Sequence, residues 1–175
     1  MADTKTLPHD LSNPHLKSFI KRITNPVLQR LYFLGKLPAV WFMGARVREM
    51  TPEHVKITLP YGWRSKNPFR STYFAAQAAA AELATGILMA GHLQGRGKIS
   101  MLVTHMEADF IKKATGTTTF MCNQGADITA AIQETLATGE GQCLSLHAKG
   151  IQQLADGTSL EVSSFTFEWS IKAKK

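Results

Sequence analysis

Cysteine is scarce in this chain. Its 175 residues include two, Cys122 and Cys143, each inside a strand-like run and neither in a CxxC pair. That excludes a disulfide-stapled scaffold and predicts a reduced, cytoplasmic protein with two structural thiols. Metal-ligand spacing is also lacking. No HxxxH or Cys/His pattern occurs, His105 and His147 stand in separate strand-like runs, and no metal or resident cofactor is expected. A GxSxG nucleophile elbow is absent, which argues against Ser/His/Asp catalysis. The opening MADTKTLPHD lacks the charged-then-apolar layout of a signal peptide. Charged residues make up only 19% of the chain, although the net charge is +7. Lys and Arg are spread along the sequence with no zinc-finger or RNA-binding aromatic signature beside them. A solvated basic face is therefore the plain reading, and no nucleic-acid partner is expected. No internal repeat or low-complexity tract is evident.

What is present suits one globular domain. Hydrophobic residues make up 44%, enough for a core without staples. Asn13-Pro14 and Asn25-Pro26 each read as a helix cap with proline in the first turn. Leu16, Phe19, Ile20 and Ile23 share one face behind the first cap. Val27, Leu28, Leu31 and Leu34 follow the second. Two short amphipathic helices ending near Gly35 are expected to pack on the main domain, since such helices usually face a core; a membrane-surface role is the less favoured alternative. Residues 1–39 thus form a helical extension and 40–175 the main domain.

Arg46–Met50 and His54–Leu59 read as a strand pair, the second alternating Val55, Ile57 and Leu59 against His54, Lys56 and Thr58. A loop, Pro60–Arg70, leads into the Ala-rich helix Thr72–Ala90, which stops at Gly91. This helix is long enough to span a bilayer. However, it carries Gln77 and Glu82, and a mid-bilayer Glu is costly, so a buried soluble helix is expected, without stable membrane insertion. Strands Ile99–Phe110 and Thr115–Asn123, a helix Asp127–Thr138, and two final strands complete the chain. In the last strand Phe165, Phe167, Trp169 and Ile171 alternate with polar residues. The order ββ, long helix, ββ, short helix, ββ excludes a doubly wound parallel sheet. It predicts an α+β fold in which a curved, mainly antiparallel sheet wraps around one long central helix.

That layout resembles the hotdog fold, and one segment sharpens the likeness. The stretch Asn67-Pro-Phe-Arg-Ser-Thr-Tyr-Phe-Ala-Ala-Gln-Ala-Ala-Ala-Ala-Glu82 resembles the core motif of phenylacetate-type acyl-CoA thioesterases. There an Asn precedes a Gly, a His-Gly-Gly and a helix acid. Asn67 takes the Asn position, Arg70 the first Gly, Tyr73-Phe74-Ala75 the His-Gly-Gly, and Glu82 the acid. Phe110–Gly116 is similar to the superfamily's strand-to-strand connection. The chain is also similar to a bacterial branch of that superfamily catalogued as a domain of unknown function. The resemblance covers about residues 40–172.

Its implications are specific. Glu82 would activate water for attack on a thioester. Asn67 would orient the thioester or the water, and backbone N–H groups around Thr72, Tyr73 and Phe74 would stabilise the oxyanion. Gln77 would line the pocket, and Arg64, Lys66 and Arg70 would meet the phosphates of coenzyme A, which enters only as part of the substrate. The site would lie at the interface of a homodimer or a dimer of dimers. Each role has a simpler counterpart. Glu82 could tie two chains together, Asn67 could shape the turn before Pro68, and Ser71 or Thr72 could cap the helix. Gln77 could be a satisfied core amide. The absence of His from Pro60–Arg70 argues against hotdog dehydratase chemistry. The loss of the motif's glycines at Arg70, Phe74 and Ala75 leaves an alternative, a non-catalytic binder of acyl-CoA or lipid.

Overall fold

The computed structural model describes residues 13–173. Three helices open the chain. α1 (Pro14–Thr24) and α2 (Pro26–Lys36) start where the Asn-Pro pairs place them. Asn13 Oδ1 accepts from the N–H groups of His15 and Leu16, and Asn25 Oδ1 from those of Val27 and Leu28. Each asparagine thereby satisfies donors that the first helical turn leaves unpaired. A third helix, α3 (Pro38–Met43), ends at Gly44 in the left-handed conformation. The sequence reading missed it, because six residues are too few to show a helical period.

The main body follows the expected order: β1 (Arg46–Met50), β2 (Val55–Leu59), α4 (Phe74–His92), β3 (Ile99–Phe110), β4 (Thr118–Cys122), α5 (Gly125–Thr138), β5 (Gln142–Gln153) and β6 (Ser159–Ala173). All six strands join one antiparallel sheet in the order β1-β2-β4-β5-β6-β3. α4 and α5 lie on the same face as the buried residues of β2, β4, β5 and β6. Val55, Ile57, Leu59, Phe120, Cys122, Leu146, Ala148, Phe165, Phe167, Trp169 and Ile171 pack there against Ala76, Ala80, Ala81, Ala84 and Leu88. Alanine and Gly86 keep the helix slim, so the sheet approaches it closely. By length and composition α4 would suffice to cross a membrane, but it is buried in the fold along most of its length.

One expectation fails. The sheet does not wrap the helix. It is open, with β1 and β3 as its two edges and no bond between them. α4 rests on β2, β4, β5 and, more lightly, β6. β3 pairs with β6 alone and buries none of its residues fully, with Ile99, Met101, Val103 and Ala108 only half-buried against the core. The physical reason lies in its composition. Thr104, His105, Glu107 and Asp109 break the apolar alternation, so little would draw β3 around the helix.

The N-terminal helices share this core. Leu16, Ile23 and Phe33 are buried in it, and Gln29 is the hinge of the attachment. Its Nε2 donates to Ile23 O at 2.7 Å and Val47 O at 3.0 Å, while its Oε1 accepts from Val47 N at 3.1 Å. The amide thus completes the outer edge of β1, where no strand pairs. Gln29→Leu would strand two carbonyls and one N–H in a buried place. The expected loss is about 2 kcal/mol, read from the urea midpoint. An unchanged midpoint would mean that water replaces the amide.

Candidate active site

The start of α4, the loop before it and the β3–β4 connection enclose a cleft of about 790 Å³. Lys66, Asn67, Phe69, Thr72, Tyr73, Phe74 and Gln77 line one side, and Phe110, Ile111, Lys112 and Lys113 the other. Backbone bonds set this shape. Thr72 N and Oγ1 both donate to Ala114 O, at 2.7 and 3.0 Å, and Tyr73 N donates to Ser65 O at 2.7 Å. The helix start is therefore stitched to both walls of the cleft. Neither Ser71 nor Thr72 caps the helix. Tyr73 holds that position, with no side-chain bond to the first turn.

Asn67 shapes the loop. Its Oδ1 accepts from Phe69 N at 3.0 Å, Ser71 N at 3.2 Å and Ser71 Oγ at 3.2 Å. Backbone donors fix which end of the amide is oxygen. The turn it builds forces Arg70 to φ 59°, the one non-glycine residue with positive φ among those described. This is the position at which the resembled motif carries glycine. Left-handed backbone costs an L side chain about 1–2 kcal/mol, partly offset by glycine's freedom in the unfolded chain, so Arg70→Gly is expected to stabilise by roughly 0.5 kcal/mol. A lower melting temperature would show that the arginine side chain holds the loop.

Gln77 sits one turn inside the helix and is buried. Its Oε1 accepts from Ser163 Oγ at 2.9 Å, and its Nε2 reaches Thr72 O at 3.3 Å. It ties the helix start to β6 while touching the floor of the cleft. An edge-to-face chain of rings runs inward from there, Tyr73 to Phe74, Phe110 and Phe165, with centroids 4.9, 6.4 and 5.6 Å apart.

Glu82 lies elsewhere. It is eight residues beyond Phe74, about 12 Å along the helix, and does not line the cleft. Its side chain lies against Gly86 and the Trp169 indole: a Cβ on Gly86 would sit 3.1 Å from Glu82 Oε1 and 3.2 Å from the indole. No side chain among the described residues bonds the carboxyl. Burial pushes its pKa above the ordinary carboxylate value. Thr85 Oγ1 donates to Glu82 O at 3.0 Å and accepts from Trp169 Nε1 at 3.1 Å, which fixes the indole over this stretch of helix.

Within one chain, then, Lys66, Asn67, Thr72, Tyr73, Phe74 and Gln77 converge, and Glu82, Arg64 and Arg70 stand outside. Arg64 is exposed and lies against Gly44, and Arg70 is exposed on its turn. Sequence reasoning missed Lys112 and Lys113. The signal was there in the Phe110–Gly116 connection, but nothing in its spacing said which loop it would face. Among the described residues no group of His, Cys, Asp or Glu is placed to hold a metal. Cys122 is buried, with its thiol pushed up to about 11 by burial, and Cys143 is exposed.

Comparison with solved structures recovers the same architecture repeatedly. A protein of unknown function from Chlorobaculum tepidum superposes with a TM-score of 0.68 at 15% identity, covering 91% of this chain and 94% of that one. A thioesterase family protein from Silicibacter pomeroyi gives 0.62 at 14% identity, over 83% and 96%. A thioesterase from Haemophilus influenzae gives 0.56 at 11% identity, over 82% and 88%. At these identities the likeness shows the fold alone. Comparison with curated proteins finds no match. The profile of one family, described as a domain of unknown function (DUF4442), matches residues 27–153, from α2 through β5. The chain belongs to that family.

Proposed function

We propose that this protein is an acyl-CoA thioesterase that works as a homodimer, or a dimer of dimers, with its site between chains. The observation that carries the reading is the cleft at the start of α4. Its volume of about 790 Å³ suits a small-molecule ligand. Phe69, Phe110 and Ile111 offer an apolar wall to an acyl chain, and Lys66, Lys112 and Lys113 offer charge to phosphates. Thioesterases from two organisms share the fold.

Glu82 is the general base. It lies too far from the cleft of its own chain, so the reading requires the Glu82 of a second chain to face Asn67. β3 supports such pairing. It is a twelve-residue edge strand with unpaired backbone groups and with Leu102, Met106 and Phe110 exposed, an edge that proteins seldom leave uncovered. In the reaction Glu82 takes a proton from water as its oxygen bonds to the thioester carbonyl carbon. The N–H groups of Thr72 and Tyr73 are engaged by Ala114 and Ser65. Those of Phe74 and Ala75, at the positive end of the helix, are left to meet the oxyanion. The carbon–sulfur bond then breaks, and the proton passes from Glu82 to the departing thiolate, giving carboxylic acid and free coenzyme A. Lys66, Lys112 and Lys113, which line the cleft, meet the phosphates, and Arg64 and Arg70 stand outside it. The helices of residues 13–39 act as an extension to the catalytic domain that follows, in a cytoplasmic enzyme; residues 1–12 and 174–175 lie outside those described.

A second reading, an acyl-CoA or lipid binder without turnover, is favoured by Phe74, a 54% exposed ring where the resembled motif has glycine. One assay separates them. Purified wild type and Glu82→Gln are offered acyl-CoAs from acetyl to palmitoyl and phenylacetyl, with thiol release followed. Turnover by wild type that Glu82→Gln loses supports the enzyme. A retained acyl-CoA in native mass spectrometry without turnover supports the binder.

A further inference from the structure

α2 turns its apolar side to solvent. The residues it buries are Gln29 and Phe33. At 100° per residue the opposite side carries Val27, Leu31 and Leu34, with Leu28 and Tyr32 beside them. Val27 is 65% exposed and Leu31 61%. The sequence reading placed this face against the core, and the structure inverts it. The surface continues over α3 through Trp41 and Phe42. Phe42 meets Trp63 edge-on, with ring centroids 5.7 Å apart, and Trp63 is 74% exposed. A soluble protein rarely shows so contiguous an apolar patch without a partner.

Charge identifies what covers it. Residues 13–48 contain seven Lys or Arg and no Asp or Glu, while the rest of the chain contains thirteen of each. The entire net charge of +7 therefore lies on the segment that carries the apolar face. Lys17, Lys21, Arg22, Arg30 and Lys36 are all exposed on that segment, Arg22 beside Leu28 and Tyr32 and Arg30 beside Trp41. A second copy docking here about a twofold axis would set this cationic segment against itself. α2 also meets β1, the edge of the sheet opposite β3, through Gln29 and Val47, so the face is separate from the chain pairing proposed for the active site.

We propose that α2 and α3 dock the protein on an anionic phospholipid bilayer. Val27, Leu31 and Leu34 enter the boundary between headgroups and acyl chains. Tyr32 and Trp41 sit at headgroup level, and the surrounding lysines and arginines meet lipid phosphates. The helix lies in the surface and does not span, since its eleven residues reach only about 16 Å.

Vesicle flotation of the full chain tests this. Vesicles of phosphatidylcholine mixed with phosphatidylglycerol are expected to carry the wild type at low salt, at least about tenfold better than phosphatidylcholine alone, with binding falling as salt rises. Leu31→Glu with Leu34→Glu is expected to lose that binding about tenfold or more, and Arg30→Glu with Lys36→Glu to weaken it in the same direction. Both variants should keep the wild-type melting temperature, because the changed side chains are exposed. Wild type that ignores phosphatidylglycerol vesicles overturns the proposal. So does a Leu31→Glu, Leu34→Glu variant that floats as wild type does, or one whose mass by light scattering drops to a smaller oligomer while wild type ignores the vesicles. That last result would assign the face to contact between copies. Acyl-CoA turnover plays no part in these readouts, so the proposal stands or falls separately from the thioesterase reading.

Discussion

Glu82→Gln is expected to lower acyl-CoA turnover by about 10²- to 10⁴-fold, the range that general-base catalysis supplies. The same substitution should make the protein more stable at neutral pH. The two effects share one cause. The carboxyl is set among small apolar side chains on α4 and beneath the Trp169 indole, with no partner among the described residues to offset the loss of water. Charging it there is unfavourable, so its proton affinity rises. A base with raised affinity is better matched to a proton from water near neutrality. Glutamine keeps the shape and removes the base and the buried charge together. Glu82→Ala would also abolish activity, but it would open space under Trp169 and confuse the stability measurement. If glutamine leaves turnover intact, Glu82 is not the base. If turnover falls while stability at neutral pH also falls, the carboxylate has a partner that its own chain does not provide, and a second chain becomes the place to seek it.

The pH dependence separates these outcomes. For a carboxyl whose folded-state pKa exceeds its unfolded value, the native state binds the proton more tightly than the unfolded chain. Stability therefore falls as pH rises from the ordinary value, 4.5, toward the raised one, and the deficit is constant above that. Wild type and Glu82→Gln should melt together below pH 4.5 and diverge on the alkaline side, with glutamine the more stable. Thermal melts across that window measure it. A gap that instead opens on the acid side, with wild type the more stable at neutral pH, would mean that the folded state favours the charged form.

Much of the fold was legible because it rests on local chemistry. The Asn-Pro pairs fix both helix starts, the period-two run of Phe165 to Ile171 fixes the buried face of β6, and the alanines of α4 mark a helix that a sheet can approach. The wrap was not legible. Whether a sheet closes depends on what its edge strand can bury, and β3 offers Thr104, His105, Glu107 and Asp109 where a wrapping strand needs apolar contacts. The α2 face misled for a related reason. Periodicity finds an apolar stripe but does not say which way it points, and here the buried anchor is polar, Gln29, because it serves the edge of β1. At the site, the spacing from Asn67 to Gln77 identified one side of a real cleft. The opposite side, Phe110 to Lys113, arrives from more than thirty residues away, and only the bond from Thr72 to Ala114 reveals that closure. Glu82 and Asn67 share a motif in sequence but not a pocket in one chain. A single sequence carries no direct sign of where a second chain must sit.

Gly125→Ala is expected to destabilise the protein by about 3–4 kcal/mol, toward the upper end of overpacking effects. Gly125 opens α5 directly against the β1–β2 turn, where its N–H donates to Glu53 O at 3.1 Å. A Cβ there would lie 1.9 Å from Pro52 O and 2.9 Å from Glu53 Cα. Both are backbone atoms, so no side chain can swing aside. The turn is also held from the other direction. His92, at the end of α4, uses Nε2 to donate to the same Pro52 O at 2.7 Å, and its Nδ1 lies 3.1 Å from Thr129 Oγ1 on α5. Moving Pro52 to admit a methyl group would break the His92 bond and pull α4, α5 and the turn apart at a point they share. Gly35→Ala supplies the contrast. Gly35 lies within α2, and an added Cβ meets nothing within 4 Å, so helix propensity alone predicts a gain of roughly 0.5–1 kcal/mol. Urea unfolding of the two variants should therefore move in opposite directions from the same chemical change. A Gly125→Ala protein as stable as wild type would mean that α5 can back away from the turn without cost, and the clamp built on His92 would lose its structural role.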